Sequence, residues 1–150
     1  MAIFPTIDYR KIITVKVIRV IDGDTMEIDH GDKVRFIGIN SPEAKDPRKG
    51  LECYSQEAYE KTKELLEGKT VILETDISER DVFGRKLAYV WLEDVLINQL
   101  LIAQGYAQSS TYPPDVKYQQ IFLETQQKAK KERKGLWGNE CNNKVYSRLE

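Results

Sequence analysis

Apolar and polar positions alternate in short blocks over the first 40 residues, then change to a helical rhythm. Ile12 to Val20 is rich in β-branched residues and reads as a strand, with Thr25 to Ile28 as a second and Val34 to Ile39 as a third. Only Asp22-Gly23-Asp24 and His30-Gly31-Asp32 separate these runs, so the three form an antiparallel meander. Asn40 to Gln56, with two prolines and a glycine, is a loop. Ser55 suits an N-cap for a helix whose Ala58, Tyr59, Thr62, Leu65 and Leu66 share one face, and Gly68 is placed to end it in the left-handed conformation. Lys69 to Thr75 and Leu87 to Leu92 are strands four and five, joined by the polar loop SERDVFGRK.

Two helices follow. Val95 to Gln104 carries Leu96, Ile97, Leu100 and Leu101 on one face and stops at Gly105. The last is expected from about Val116, capped by Asp115, to Lys134, with Gly135 as terminator and Leu136 and Trp137 folding back as a hydrophobic latch. The run KAKKERK at its end complements the helix dipole. Five short strands with three α-helices describe a β-barrel plus helices, and among such architectures the OB-fold, a five-stranded Greek-key barrel, fits best. There is no internal repeat, so residues 1–150 are expected to form one domain, with a core of about residues 12–138.

Charge changes this picture little. The 23 basic and 24 acidic residues leave a net charge of -1, which argues mildly against a non-specific nucleic-acid coat protein but leaves room for a local basic site. No apolar run is long enough to span a bilayer, and MAIFPTIDYRKIITV shows no signal-peptide pattern. His30 is the single histidine, so zinc chemistry and histidine-based nucleophilic catalysis are poorly supplied. Cys53 and Cys141 either form one disulfide, worth roughly 4–5 kcal/mol on a chain-entropy model, or remain free thiols.

The chemistry gathers around two arginines. Arg35 lies within the apolar run of strand three and needs an anionic partner, either an internal carboxylate or a phosphate. Arg85 follows in the second polar loop. Asp22, Asp24, Asn40 and Glu43 supply hard oxygens, which favour Ca²⁺ or Mg²⁺ over a softer metal. A cation beside two arginines and a carboxylate is the equipment for breaking a phosphodiester.

The order of these motifs is specific. From about Val15 to Trp137 the chain resembles the staphylococcal nuclease (thermonuclease) family, through IDGDT (Ile21 to Thr25), VRFIGINSPE (Val34 to Glu43), DVFGRKLAYV (Asp81 to Val90) and KGLWG (Lys134 to Gly138). The resemblance implies a Ca²⁺-dependent nuclease on single-stranded or frayed DNA and RNA, leaving 3′-phosphate ends, and points to a secreted or cell-surface protein, with a cytoplasmic one as the alternative. By the same resemblance, Asp24, Asn40 and the Ser41 backbone carbonyl ligate Ca²⁺, with Asp22 acting through water. Glu43 is the general base, and Arg35 and Arg85 bind the scissile phosphate. A monomer is expected.

Three departures from the family pattern stand out. Asn40 replaces an aspartate, which removes a formal charge from the metal site. Val82-Phe83 replaces a Lys-Tyr pair that contacts the nucleotide, and STYPPD leaves Tyr112 as the obvious stacking aromatic. Phe83 and Tyr112 are therefore the expected substrate contacts. The alternative reading is a non-catalytic module of the same fold that binds nucleic acid or protein. Retention of Arg35, Glu43 and Arg85 together favours the enzyme.

Overall fold

The computed structural model describes residues 4–43 and 52–141. In chain order the elements are β1 (Ile12–Asp22), β2 (Thr25–Ile28), β3 (Lys33–Phe36), β4 (Ile39–Asn40), α1 (Ser55–Leu66), β5 (Thr70–Glu74), β6 (Lys86–Leu92), β7 (Val95–Leu96), α2 (Ile97–Ala103), β8 (Gln108–Ser109) and α3 (Gln119–Lys131). β1 serves two neighbours. Its first half pairs antiparallel with β5, and its second half pairs with β2 across two register shifts. Such irregularities bend a strand, which lets β1 turn a barrel corner. β2 pairs with β3, and β5 pairs with β6. The sheet closes where β6 runs parallel beside β3, opposing Arg35 with Leu87. The result is a closed five-stranded barrel with three helices, the OB-fold.

The barrel interior is aliphatic. Val17, Met26, Val34 and Val90 have no exposed surface, and β3 and β6 contribute Phe36 and Ala88 beside them. α1 buries Ser55, Ala58, Thr62 and Leu66. α2 and α3 pack on each other and cover one side of the barrel, where the rings of Tyr89 and Tyr118 meet edge to face at 4.6 Å. One carboxylate lies in this core. Glu74 accepts from the Trp91 indole and the Tyr118 hydroxyl, and pairs with Lys117, so its burial is compensated.

Several elements differ from the sequence expectation. The third apolar run does not continue to Ile39: it breaks at Gly38, whose φ of +79° turns the chain between β3 and β4. Alternation therefore does not carry through from Arg35 to Ile37 and Ile39. Ser55 is the first residue of α1, not its cap, and Tyr54 precedes it in the left-handed conformation. Val95 and Leu96 pair with β6 as β7, so α2 starts at Ile97. α3 starts at Gln119, and Asp115 does not cap it, because its Oδ1 accepts the amides of Ile77 and Ser78.

The C-terminal latch forms as expected. Leu136 and Trp137 are buried, and the Leu136 amide donates to the Gly105 carbonyl at 2.8 Å. A Cβ on Gly105 would meet the Lys134 carbonyl oxygen at 2.3 Å, so only glycine permits this approach. Of the two cysteine alternatives the structure takes the disulfide. Cys53 and Cys141 are bonded across 88 residues. No helix among the described residues is long and apolar enough to cross a membrane.

Candidate phosphodiester site

Two glycine turns bring the oxygen-bearing segments together. Gly23 lies between Asp22 and Asp24 where a Cβ would sit 2.7 Å from the Ser41 Oγ and 3.0 Å from the Ala58 Cβ. Its absence of side chain lets the β1–β2 turn press against both the chain after β4 and the first turns of α1. Thr62 on α1 secures that turn, donating its hydroxyl to the Gly23 carbonyl at 2.8 Å.

Asp24 is the organising carboxylate. It is 5% exposed and accepts the Thr25 hydroxyl on Oδ1 at 3.0 Å and the Ser41 amide on Oδ2 at 2.9 Å. Oδ1 retains one lone pair for a further partner, while Oδ2 also faces Arg35. Asp22 ends β1 and is half-buried. Ser41 is buried, and its Oγ has no hydrogen-bond partner.

Arg35 links this group to the neighbouring cleft. Its Nη1 donates to the carbonyls of Phe36 and Ile39 at 2.8 and 2.9 Å, which fixes the plane of the guanidinium. Its Nη2 reaches the Asp24 Oδ2 and the Asn40 Oδ1, each at 3.4 Å. Both are long contacts, so this nitrogen is only weakly engaged. The internal-carboxylate reading of Arg35 is met by Asp24. The same geometry turns two hard oxygens, from Asp24 and Asn40, toward one positive centre.

The cleft has a volume of about 300 Å³ and contains both arginines, with Phe83 and Tyr112 at its rim. Asp81 holds Arg85: its Oδ2 accepts from Nε at 2.7 Å and its Oδ1 accepts the Arg85 amide at 3.0 Å. Burial pushes the Asp81 carboxyl up, but the hydrogen bonds from Arg85 outweigh it and keep the group below the usual carboxylate range. The Phe83 ring lies 5.5 Å from the Arg85 guanidinium carbon, within cation–π range. Phe83 and Tyr112 are 80% and 73% exposed, so both rings are open to solvent beside the arginines.

The expected site residues thus fall into three positions. Arg35, Arg85, Phe83 and Tyr112 share the cleft. Asp24, Asn40 and Ser41 form an oxygen-rich group joined to it through Arg35, and Asp22 ends β1 two residues before Asp24. Glu43 stands two residues beyond Ser41, exposed, with its backbone bonded to Glu52. Asp81 escaped the sequence reading, although the opposite charges of Asp81 and Arg85 four residues apart were its available signal. Asp115 also lines the cleft, and its reading as a helix cap concealed this.

Among the described residues, no group of three or more His, Cys, Asp or Glu side chains is gathered to hold a metal. An ion here would depend on amide and backbone oxygens beside Asp24. The donor set fits a hard cation: a lone pair on the Asp24 Oδ1, the Asp24 Oδ2 and Asn40 Oδ1 that Arg35 engages only at 3.4 Å, and the unpartnered Oγ of Ser41, whose amide is bonded to Asp24.

Known proteins resemble this chain over most of its length. Residues 33–139 match the family model described as "Staphylococcal nuclease homologue". The chain is 42% identical over 129 residues to a thermonuclease of Staphylococcus hyicus, spanning 84% of this chain and 76% of that protein. It is 40% identical over 122 residues to a thermonuclease of Staphylococcus intermedius, spanning 79% and 73% respectively. Endonuclease YncB of Bacillus subtilis is 32% identical over 133 residues, spanning 85% of this chain and 63% of that protein.

Proposed function

Because this chain belongs to the staphylococcal nuclease family, we propose that it is a metal-dependent nuclease, cleaving single-stranded DNA and RNA with Ca²⁺ as cofactor. The observation that carries this reading is the pair Arg35 and Arg85 in one cleft beside the Asp24–Asn40 oxygens. A phosphate oxygen would engage the guanidinium nitrogen that Asp24 and Asn40 hold only at 3.4 Å.

Asp24, Asn40 and the Ser41 carbonyl would hold Ca²⁺, with Asp22 through water. Bound there, the ion supplies positive charge that offsets the negative charge building on phosphate. The Asp22–Asp24 pair finds its use in the same way, since a divalent cation relieves the repulsion between them. Arg35 presents Nη2 to one phosphate oxygen while Nη1 stays bonded to backbone carbonyls, so the donor is already oriented. Arg85, which lines the cleft and is held by Asp81 through Nε, would offer the rest of its fork to the same phosphate. Glu43 takes the proton from the attacking water, the P–O5′ bond breaks as the new P–O bond forms, and the leaving 5′-oxygen takes a proton from solvent, so the products carry a 3′-phosphate and a 5′-hydroxyl. Phe83 and Tyr112 stack on bases, and the chain acts as one domain and as a monomer.

Digestion of denatured DNA in Ca²⁺ against excess chelator tests the whole reading, with full loss of cleavage expected in chelator. Glu43→Gln should lower kcat on the order of 10²–10⁴-fold, the usual worth of a positioned proton acceptor. Arg35→Ala should cost at least ~10²-fold. If both variants fold and keep the wild-type rate, the assignment of this site is wrong; absence of cleavage by wild type in Ca²⁺ would instead make the protein a binding module.

A further inference from the structure

Glu43 is exposed, so packing does not aim its side chain; its backbone does. That backbone is held on both sides by one residue. The Glu52 Oε1 accepts the Glu43 amide at 3.1 Å, and the Glu52 amide donates to the Glu43 carbonyl at 3.2 Å. Together these bonds fix the peptide planes before and after the Glu43 Cα, and with them the direction of its Cα–Cβ bond.

Glu52 is in turn anchored. Its carbonyl accepts the Ser55 amide at 3.1 Å as α1 begins. The next residue, Cys53, is covalently joined to Cys141, and Cys53 and Tyr54 pack on Ala129, Leu136 and Trp137 of the latch. Tyr54 turns the chain with a φ of +73° and places its ring 5.5 Å from that of Tyr106. A covalent bond and a buried cluster therefore stand directly behind the residue that grips Glu43.

We propose that Glu52 is a positioning residue for Glu43, and that the Cys53–Cys141 disulfide holds Glu52 in place for that task. The proposal rests on Glu43 being the general base. A base must approach its proton to within hydrogen-bond reach, and a displacement of about 1 Å costs on the order of 10²-fold in rate. The bond to the Glu43 amide needs an acceptor, not a charge, so glutamine can replace Glu52 and alanine cannot.

The test is kcat and KM on denatured DNA at saturating Ca²⁺ for wild type, Glu52→Ala, Glu52→Gln, Glu43→Gln and the Glu43→Gln/Glu52→Ala double variant. Glu52→Ala should lower kcat about 10- to 100-fold with KM little changed, and Glu52→Gln should restore both kcat and the wild-type pH profile. In the Glu43→Gln background Glu52→Ala should have no further effect, because a misplaced base and an absent base are equivalent. Reductant should lower the kcat of wild type and leave that of Cys53→Ser/Cys141→Ser unaltered. A Glu52→Ala enzyme at wild-type kcat while Glu43→Gln is inactive overturns the positioning role. So does an equal loss from Glu52→Ala in both backgrounds. Unchanged kcat after both thiols have been titrated as free overturns the role of the disulfide. Wild-type kcat in Glu43→Gln alone removes the general base itself, and that failure is separate from the others.

Discussion

Arg85 illustrates how one side chain is set by a partner that performs no chemistry. Asp81 accepts both its amide and its Nε, and those bonds hold the carboxyl below its ordinary value of 3.8 despite burial. A carboxyl whose folded pKa is lowered adds stability above its unfolded pKa, and this is lost as the pH falls through the folded value. Asp81→Asn should therefore be less stable than wild type near neutrality, and the difference should shrink below about pH 3.8. Urea midpoints for both proteins at pH 6 and pH 3 check this. The i,i+4 charge pair was visible in the chain, but such pairs are common on surfaces and rarely announce a function. Asp115 was harder to read. Its position before a helical stretch suited a cap, and the two amides it accepts lie 37 and 38 residues earlier in sequence. Local pattern carries no information about a partner that distant.

At the level of elements, the strands and helices were legible wherever burial was periodic, and the boundaries were lost where a turn residue mattered more than a pattern. β3 and β4 looked continuous because Ile37 and Ile39 are both buried, yet Gly38 turns the chain with Phe122 against it, where a Cβ would meet that ring at 2.6 Å. β7 was read as helix because two residues of strand leave no period to detect. The glycine of the β1–β2 turn acts on three elements together. Gly23→Ala would force the Ser41 segment and α1 apart at contacts of 2.7 and 3.0 Å. We expect a loss of about 1–3 kcal/mol, typical of overpacking at a tight contact. We also expect a higher Ca²⁺ concentration for half-maximal cleavage, since Ser41 and Asp24 would no longer be held together. Chemical denaturation and calcium titration of activity measure the two effects separately.

Across the whole molecule, the disulfide joins the start of α1 to the end of the latch and encloses most of the fold. Composition left its formation open because pairing depends on where the chain brings Cys53 and Cys141, and their Cα atoms prove to be 5.6 Å apart. Cys53→Ser/Cys141→Ser should lose roughly 2–5 kcal/mol, the usual effect of removing a native disulfide from a small domain. Wild type unfolded in reductant should show the same urea midpoint as that variant. The closure of the barrel has a different consequence. Arg35 is on β3 and Arg85 immediately precedes β6, and the two reach one cleft because these strands, distant in sequence, meet side by side as the last seam of the sheet. A chain that has made every other strand pairing but not this one carries Arg35 and Arg85 on opposite ends of one open sheet, in the order β3-β2-β1-β5-β6. Opening this one seam would thus part the two arginines while leaving every other strand pairing in place, so the cleft exists only as long as the circle is closed.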